Sequence, residues 1–452
     1  MKVLRFFLFV IALTGLLIPV TAQTDIQRQW AQFRGYRGSG ILDNAGIPAT
    51  WNVTKKENIL WDIPVPGLAH SCPVIWNDKV FITTAVSSSR QDSLKIGLYG
   101  DIDMSEDKSV HDFKIICLDK KTGRIIWETI AYQGIPKERR HTKSTYANPT
   151  PATDGKYLVV SFGSNGLYCY DLDGNLIWKK DLGSLATGPF NENGVEWGYS
   201  ASPVIHEDRI IIQSDLLKNS FLAVYDLKTG REVWKTDRPE QISSWGSPAI
   251  YEGNGKTHII VNGYPFMMAY DFGTGQEIWK LGSVGDAPAP TAIVAKGLIF
   301  LNSAHAKWSP IEAIRPTATG DLTLADTATS GSQVPWMIRR GGAYMASLLV
   351  YGDNLYNMQI SGLLSVLDPL TGKLRYKQNI GKAFSASPVA SDGQIYLTAE
   401  TGEIYVIRDG PEYKLISENN LGDPCMATPA IAPGMIVFRT QHRLIAVGSS
   451  YQ

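Results

Sequence analysis

The chain has 452 residues, and its 43 Lys and Arg are balanced by 43 Asp and Glu, so the formal net charge is zero. No electrostatic footprint for nucleic acid or an anionic membrane follows from that balance. At 44% hydrophobic and 19% charged residues the chain is not disordered; its many Gly (42), Tyr (20) and Trp (12), without long helical stretches, point to an all-β protein with tight turns.

The N-terminus carries Lys2 and Arg5, an apolar run over residues 6–20, and small residues at Val20-Thr21-Ala22. This pattern predicts a signal peptide over residues 1–22, cut after Ala22. The run is short for a bilayer span, and polar sequence follows at once. No Cys stands at the cut, so the lipoprotein signal is absent, and no later segment is apolar enough to cross a bilayer. The expectation is an exported, soluble monomer, periplasmic or secreted.

From there on the chain repeats itself. Asp119-Lys-Lys-Thr-Gly123-Arg-Ile-Ile-Trp127 returns as Asp226-Leu-Lys-Thr-Gly230-Arg-Glu-Val-Trp234, as Asp271-Phe-Gly-Thr-Gly275-Gln-Glu-Ile-Trp279, and as Asp368-Pro-Leu-Thr-Gly372-Lys-Leu-Arg-Tyr376. Asp171-Leu-Asp-Gly174-Asn-Leu-Ile-Trp178 is the same unit one residue shorter. Each is a predicted hairpin in which Gly supplies a positive φ, Asp caps the backbone, and the strand after the turn ends in a large aromatic. A second signature precedes each hairpin: Ser71-Cys72-Pro73-Val74, Thr150-Pro151, Ser202-Pro203-Val204, Ser247-Pro248, Ser387-Pro388-Val389 and Thr428-Pro429-Ala430. Pro is tolerated as the first residue of a strand, where no ladder donor is needed. Each unit is thus four strands, a to d, opened by Ser-Pro and closed by Trp.

Successive closing aromatics, Trp127, Trp178, Trp234, Trp279, Trp336 and Tyr376, are 40 to 57 residues apart, the range of propeller blades. A weaker seventh lies near Tyr413, and an eighth unit begins at Cys425 but has no closing strand. Residues 58–65, around Trp61, form an orphan strand d at the other end of the chain. The predicted fold is an all-β, eight-bladed β-propeller of four-stranded antiparallel blades, over residues 30–449, in which the N-terminal strand completes the C-terminal blade and removes both sheet edges.

These hairpins and Ser-Pro strands resemble the pyrroloquinoline-quinone-type (PQQ-like) repeat. The resemblance implies kinship with quinoprotein alcohol dehydrogenases, with the propeller lipoprotein of the barrel-assembly machinery, and with exported bacterial proteins of the same repeat. The opening Trp30-Ala-Gln-Phe33-Arg34-Gly35-Tyr-Arg-Gly38-Ser-Gly40 looks like the start of that third group. The chain departs from the enzymes: it has no adjacent Cys pair, and their acid, amide and Asp ligands for a calcium or lanthanide ion are not traceable. It departs from the lipoprotein in lacking the lipidated Cys. The repeat speaks for fold rather than activity.

In a propeller the d-to-a and b-to-c loops gather at one mouth of the central channel. Four of them are long and chemically loaded. One carries Arg139, Arg140, His141, Lys143 and Tyr146; the next carries Glu196, Trp197 and Tyr199. The b-to-c insertion of blade 1, residues 87–112, is acidic, with Asp92, Asp101, Asp103, Glu106 and Asp107 before His111. That of blade 5 is taken to hold His305, Lys307, Trp308, Glu312 and Arg315. Long loops of this kind are often functional. Residues just ahead of strand a are expected to ring the mouth: His70, Tyr146, Tyr199, Trp245, Tyr344, Phe384 and Met426. The candidate ligand-binding set is His70, Arg139, Arg140, His141, Lys143, Tyr146, Trp197, Tyr199, Trp245, His305 and Tyr344. Asp101, Asp103 and Asp112 only faintly echo a calcium loop, with Glu106 where the turn needs Gly, and no metal is expected. Cys117 and Cys169 read as core, and ring closure brings Cys72 and Cys425 near enough that a disulfide is open.

No nucleophile elbow, phosphate loop or zinc-protease motif is present. The expected function is a non-enzymatic binding or scaffold module for an envelope protein, peptide or glycan, with no cofactor. The alternative, which the resemblance implies, is a diverged dehydrogenase with PQQ stacked against Trp245 and calcium as Lewis acid.

Overall fold

The computed structural model describes residues 26–90, 94–97, 103–192, 194–282, 284–305 and 307–449. The predicted signal peptide lies outside these residues, as do Asp92 and Asp101. The fold is an eight-bladed propeller: eight separate sheets, each with four antiparallel strands in the order a-b-c-d. Among the described residues from 27 onward the helical segments are single 3-10 turns, and no helix among the described residues is long and apolar enough to cross a membrane.

The ring closes as the orphan strand suggests. Ile59–Pro64 pairs with Arg443–Val447 and becomes strand d of blade 8, with Trp61 opposite Ala446 and Asp62 opposite Ile445. Arg443 Nε donates to Asp62 Oδ1 at 2.7 Å, tying the two ends of the chain together.

The Asp-x-x-Thr-Gly hairpins show why those residues recur. Asp119 Oδ1 accepts from the backbone N–H and the hydroxyl of Thr122, at 2.7 and 2.6 Å, and Asp226, Asp271 and Asp368 do the same for Thr229, Thr274 and Thr371. The glycine then serves the neighbouring blade. The rings of Trp61, Trp127, Trp178, Trp234 and Trp336 each lie over the turn glycine of the next blade, Gly123, Gly174, Gly230, Gly275 and Gly372. A Cβ there would meet the ring at 2.5 to 2.9 Å. Each indole N–H also donates to a carbonyl in that turn, from Lys120, Leu172, Leu227, Phe272 and Pro369 respectively. The closing aromatic of one blade is therefore a peg in the hairpin of the next.

The joint from blade 4 to blade 5 is built differently. Blade 5 has no Asp-x-x-Thr-Gly turn; its strands c and d are Ile311–Ile314 and Trp336–Ile338, with a long insertion between them. Part of that insertion, Gly320–Asp321, runs parallel along Trp279 and Lys280 as a fifth strand on blade 4. Trp279 is fully buried, and its Nε1 has no hydrogen-bond partner.

The segment 30–42 crosses the floor of the channel. Trp30 exchanges backbone hydrogen bonds with Ile75 of blade 1, Ala31 accepts from Thr153 of blade 2, and Leu42 donates to Ala390 of blade 7. Arg34 is fully buried and donates to the carbonyls of Leu348, Pro388 and Ser39 at 2.8, 3.3 and 3.4 Å. Gly40, at φ 75°, leaves room for that guanidinium: a Cβ there would sit 2.6 Å from Arg34 Nη2. The opening motif is thus a stopper.

All four cysteines are buried and free, so the open Cys72–Cys425 disulfide is not formed. Cys425 Sγ donates instead to the carbonyl of Arg439 at 3.3 Å. Cys117 and Cys169 lie in the interblade core, as read from their register.

Candidate functional site

The residue that opens strand a, followed by proline in six of the eight blades and by Ala292 and Leu348 in blades 5 and 6, has a task beyond starting a strand. The backbone N–H of Cys72 donates to the hydroxyl of Thr150, Thr150 to Ser202, Ser202 to Ser247, Ser247 to Thr291, Thr291 to Ser347, Ser347 to Ser387, and Ser387 to Thr428. These bonds, 2.9 to 3.1 Å long, form a belt of seven hydroxyls around the axis. Cys72 takes the eighth position. The hydroxyls satisfy strand-a donors that the ladder cannot reach.

Two residues earlier in each blade stand His70, Asn148, Ser200, Trp245, Ala289, Met345, Ser385 and Met426. All eight line a cup of about 210 Å³ at the mouth of the channel, together with most of the hydroxyl belt. The two-residue spacing is the pleat period, which points alternate side chains the same way. Phe33, carried by the stopper, reaches the cup from below, so the cup is blind. His141, Lys143, Trp197 and Tyr344 complete the wall.

Of the eleven candidate residues, the structure brings His70, His141, Lys143, Trp197, Trp245 and Tyr344 to the cup. Trp197 and Trp245 face each other at 5.8 Å, and His141 stands edge-on to Trp197 at 5.9 Å. Trp245 Nε1 donates to the carbonyl of Gly198 at 3.1 Å, whereas Trp197 Nε1 is buried without a hydrogen-bond partner.

The other five lie elsewhere. Tyr199 is three residues ahead of Ser202 rather than two, and it turns into the core, where its hydroxyl donates to the carbonyl of Gln213 at 2.7 Å. Tyr146, four ahead of Thr150, packs against Phe113 and under Arg140. Arg140 is buried and donates to the carbonyl of Ser144 at 2.6 Å. Arg139 pairs with Glu106 on the surface, and its backbone N–H donates to Glu196 at 2.6 Å. His305 is exposed and pairs with Asp286 at 2.7 Å, with its ring 6.3 Å from Tyr344. Phe384, also expected at the mouth, is offset like Tyr199 and buried in the core. Met426 is where it was expected.

One loop reading is corrected, and the acidic loop of blade 1 can be placed. Glu312 is not in the blade 5 insertion but in strand c, fully buried, with neither carboxylate oxygen hydrogen-bonded; burial raises its pKa well above the carboxylate range. In blade 1, Asp107 accepts from the Ser87 hydroxyl and the Ser109 backbone at 2.6 and 2.9 Å. Burial acts to raise its pKa, but these serine hydrogen bonds outweigh burial and hold it at about 2. Asp112 accepts from Gln133 and Asp103 faces Lys95, so those carboxylates do not converge.

Glu400 carried no signal in the sequence, because it reads as an ordinary turn glutamate in Glu400-Thr-Gly402. It is fully buried beside the cup. Lys143 Nζ donates to it at 2.6 Å, the Ser385 hydroxyl donates to the same oxygen, and the backbone N–H of Gly97 donates to the other at 2.6 Å. Lys143 also donates to the carbonyl of Gly97 at 2.7 Å. One buried ion pair thus joins loops of blades 1 and 7 across the mouth. Burial pulls the Lys143 pKa down, and Glu400 offsets part of that shift. Burial lowers His70 further, to about 4, while its Nε2 lies 2.8 Å from the carbonyl of Lys143.

Residues 111–296, from strand c of blade 1 to the first turn of blade 5, match the family described as outer membrane protein assembly factor BamB. The repeat is of the PQQ-like kind. Among solved structures, BamB from Moraxella catarrhalis is similar at 13% identity and a TM-score of 0.53, covering 80% of this chain and 98% of its own. The quinohemoprotein alcohol dehydrogenase from Comamonas testosteroni is similar at 11% identity and a TM-score of 0.60, covering 95% and 82%. The quinohemoprotein alcohol dehydrogenase ADHIIG from Pseudomonas putida HK5 stands at 10% and 0.60, covering 94% and 81%. At these identities the likeness is one of fold. No curated protein matches the chain in sequence.

Proposed function

We propose that the protein is an exported binding module of the cell envelope, without enzymatic activity, whose blind cup receives a side chain of a protein or peptide partner. The observation that carries this reading is the chemistry of the cup wall. It offers facing indoles, hydroxyls and two imidazoles, and among the described residues none that line it is Asp or Glu. Glu400, just behind it, is held by Lys143, Ser385 and Gly97. A few placed polar groups among aromatics suit recognition. A calcium-bound quinone and a carboxylate base would need acidic ligands that the described residues of this wall do not supply, so that donor set does not fit the cofactor. A glycan could use the same indoles.

The test is selection of short peptides on the purified chain, with binding read by tryptophan fluorescence, alongside titration with PQQ in the presence and absence of calcium. Peptides that saturate the wild type and lose at least tenfold in affinity with Trp245→Ala are expected. Saturable, calcium-dependent PQQ binding with turnover of an alcohol would overturn the reading.

A further inference from the structure

On the opposite face, the stopper leaves a second cavity of about 330 Å³ against strand a of blades 3 and 4. His206, Glu207 and Glu252 border it, and a ligand atom from each lies within 4.8 Å of the other two. His206 ends strand a of blade 3, Val204–His206; Glu207 follows in the turn; Glu252 lies in strand a of blade 4, Ala249–Gly253. His206 Nε2 is 3.3 Å from Glu252 Oε1 and 4.0 Å from Glu207 Oε1. Two ligands of a tetrahedral zinc ion, each about 2.0–2.1 Å from the metal, stand roughly 3.3 Å apart.

A second observation is independent of that spacing. His206 Nε2 is buried and makes no hydrogen bond. Its ring is fixed edge-on against Phe272 at 4.9 Å. An ordinary histidine–glutamate ion pair would use that nitrogen as a donor to Glu252, and the geometry does not. Arg37, from the stopper, takes the other oxygen of Glu252 and leaves Oε1 turned toward the imidazole. A basic partner on the far oxygen is a common way of orienting a ligating carboxylate. The adjoining cavity has room for water in the remaining positions.

We propose that His206, Glu207 and Glu252 bind one divalent transition-metal ion of the zinc class, which staples blade 3 to blade 4 on the stopper face. One imidazole and two carboxylates suit zinc or cobalt, whereas calcium and magnesium take oxygen ligands alone. This inference stands apart from the reading of the cup.

The test is calorimetric titration of the EDTA-stripped chain with zinc chloride, and visible absorption after titration with cobalt chloride. One equivalent of zinc is expected to bind, with a rise in melting temperature that calcium does not produce, and cobalt is expected to give the intense bands of a four-coordinate site. His206→Ala should abolish both signals. Glu207→Gln alters an exposed turn residue that the fold does not need, and should weaken zinc at least tenfold while leaving the metal-free melting temperature unchanged. No stoichiometric zinc binding by the wild type overturns the proposal, as does binding that neither substitution alters.

Discussion

The two ends of the channel are closed by opposite means. The floor is stopped by a segment of main chain whose buried cation, Arg34, donates through Nη1 and Nη2 to carbonyl oxygens and has no carboxylate partner among the described residues; burial lowers its pKa to about 9. The mouth is spanned by a cation and an anion, Lys143 and Glu400, both on loops. A guanidinium fanned over fixed carbonyls cannot be exchanged for another group without losing several hydrogen bonds at once. An ion pair between side chains can be replaced by apolar groups of similar volume at little cost, and often with a gain. The floor is thus part of the architecture of blades 6 and 7, whereas the mouth is a local device that sequence change can remodel.

Substitutions at both ends separate these cases. Arg34→Ala should cause the largest loss, about 4–5 kcal/mol, because it leaves buried carbonyls unpaired and opens a cavity; Arg34→Lys should recover little of it. Glu400→Gln should cost about 3 kcal/mol by stranding Lys143, yet the double change Lys143→Met with Glu400→Leu should recover most of that loss. Urea unfolding of the four variants measures both effects. A double change at the mouth as damaging as Glu400→Gln would end the contrast.

A smaller effect follows from His70. Its pKa falls from the ordinary 6.5 to about 4 on folding, so between those values the unfolded chain binds a proton that the folded chain does not. Stability is therefore fully present above pH 6.5 and is lost as pH falls toward 4, by up to about 3 kcal/mol. His70→Gln should flatten the difference between unfolding at pH 7 and pH 4.5, while Arg34→Ala should leave it intact. A wild-type chain equally stable at both values would show that His70 meets no penalty on burial.

What the sequence made legible follows the repeat. The Asp, Thr, Gly and Trp of each hairpin recur because each unit presents the same turn to its neighbour, so blade count, strand order and ring closure could be read from spacing. Where the repeat lapses, so does the reading. The insertion of blade 5 hid the boundary of its strand c, and Glu312 was taken for a loop residue. The mouth was half legible. The ring position was right for His70, Trp245 and Met426, which stand two residues ahead of the belt, and for Tyr344, which reaches the cup from three residues ahead. It failed for Tyr199 and Phe384, which share the offset of Tyr344 but are buried in the core between blades, so spacing from the belt alone does not decide which way such a side chain turns. Glu400 was invisible, since its partner Lys143 is 257 residues away and no spacing joins them.

The Ser-Pro signature was itself only half understood: Pro was credited with opening the strand, while the residue before it holds neighbouring blades together. Ser202 shows how much that matters. Its hydroxyl accepts from the backbone N–H of Thr150 at 3.0 Å, and its own N–H donates to Ser247 at 2.9 Å. Ser202→Ala removes the first bond and spares the second, since a backbone donor is unaffected. One buried N–H is left without an acceptor, at a cost of about 1–2 kcal/mol, the smallest effect considered. Ser202→Thr keeps the hydroxyl and should be near neutral, because Thr150, Thr291 and Thr428 already fill this position. Hydrogen exchange at the Thr150 amide is the most direct readout: it should quicken in Ser202→Ala and stay slow in Ser202→Thr. If both variants protect it equally, the belt is a by-product of strand packing and Pro alone accounts for the motif.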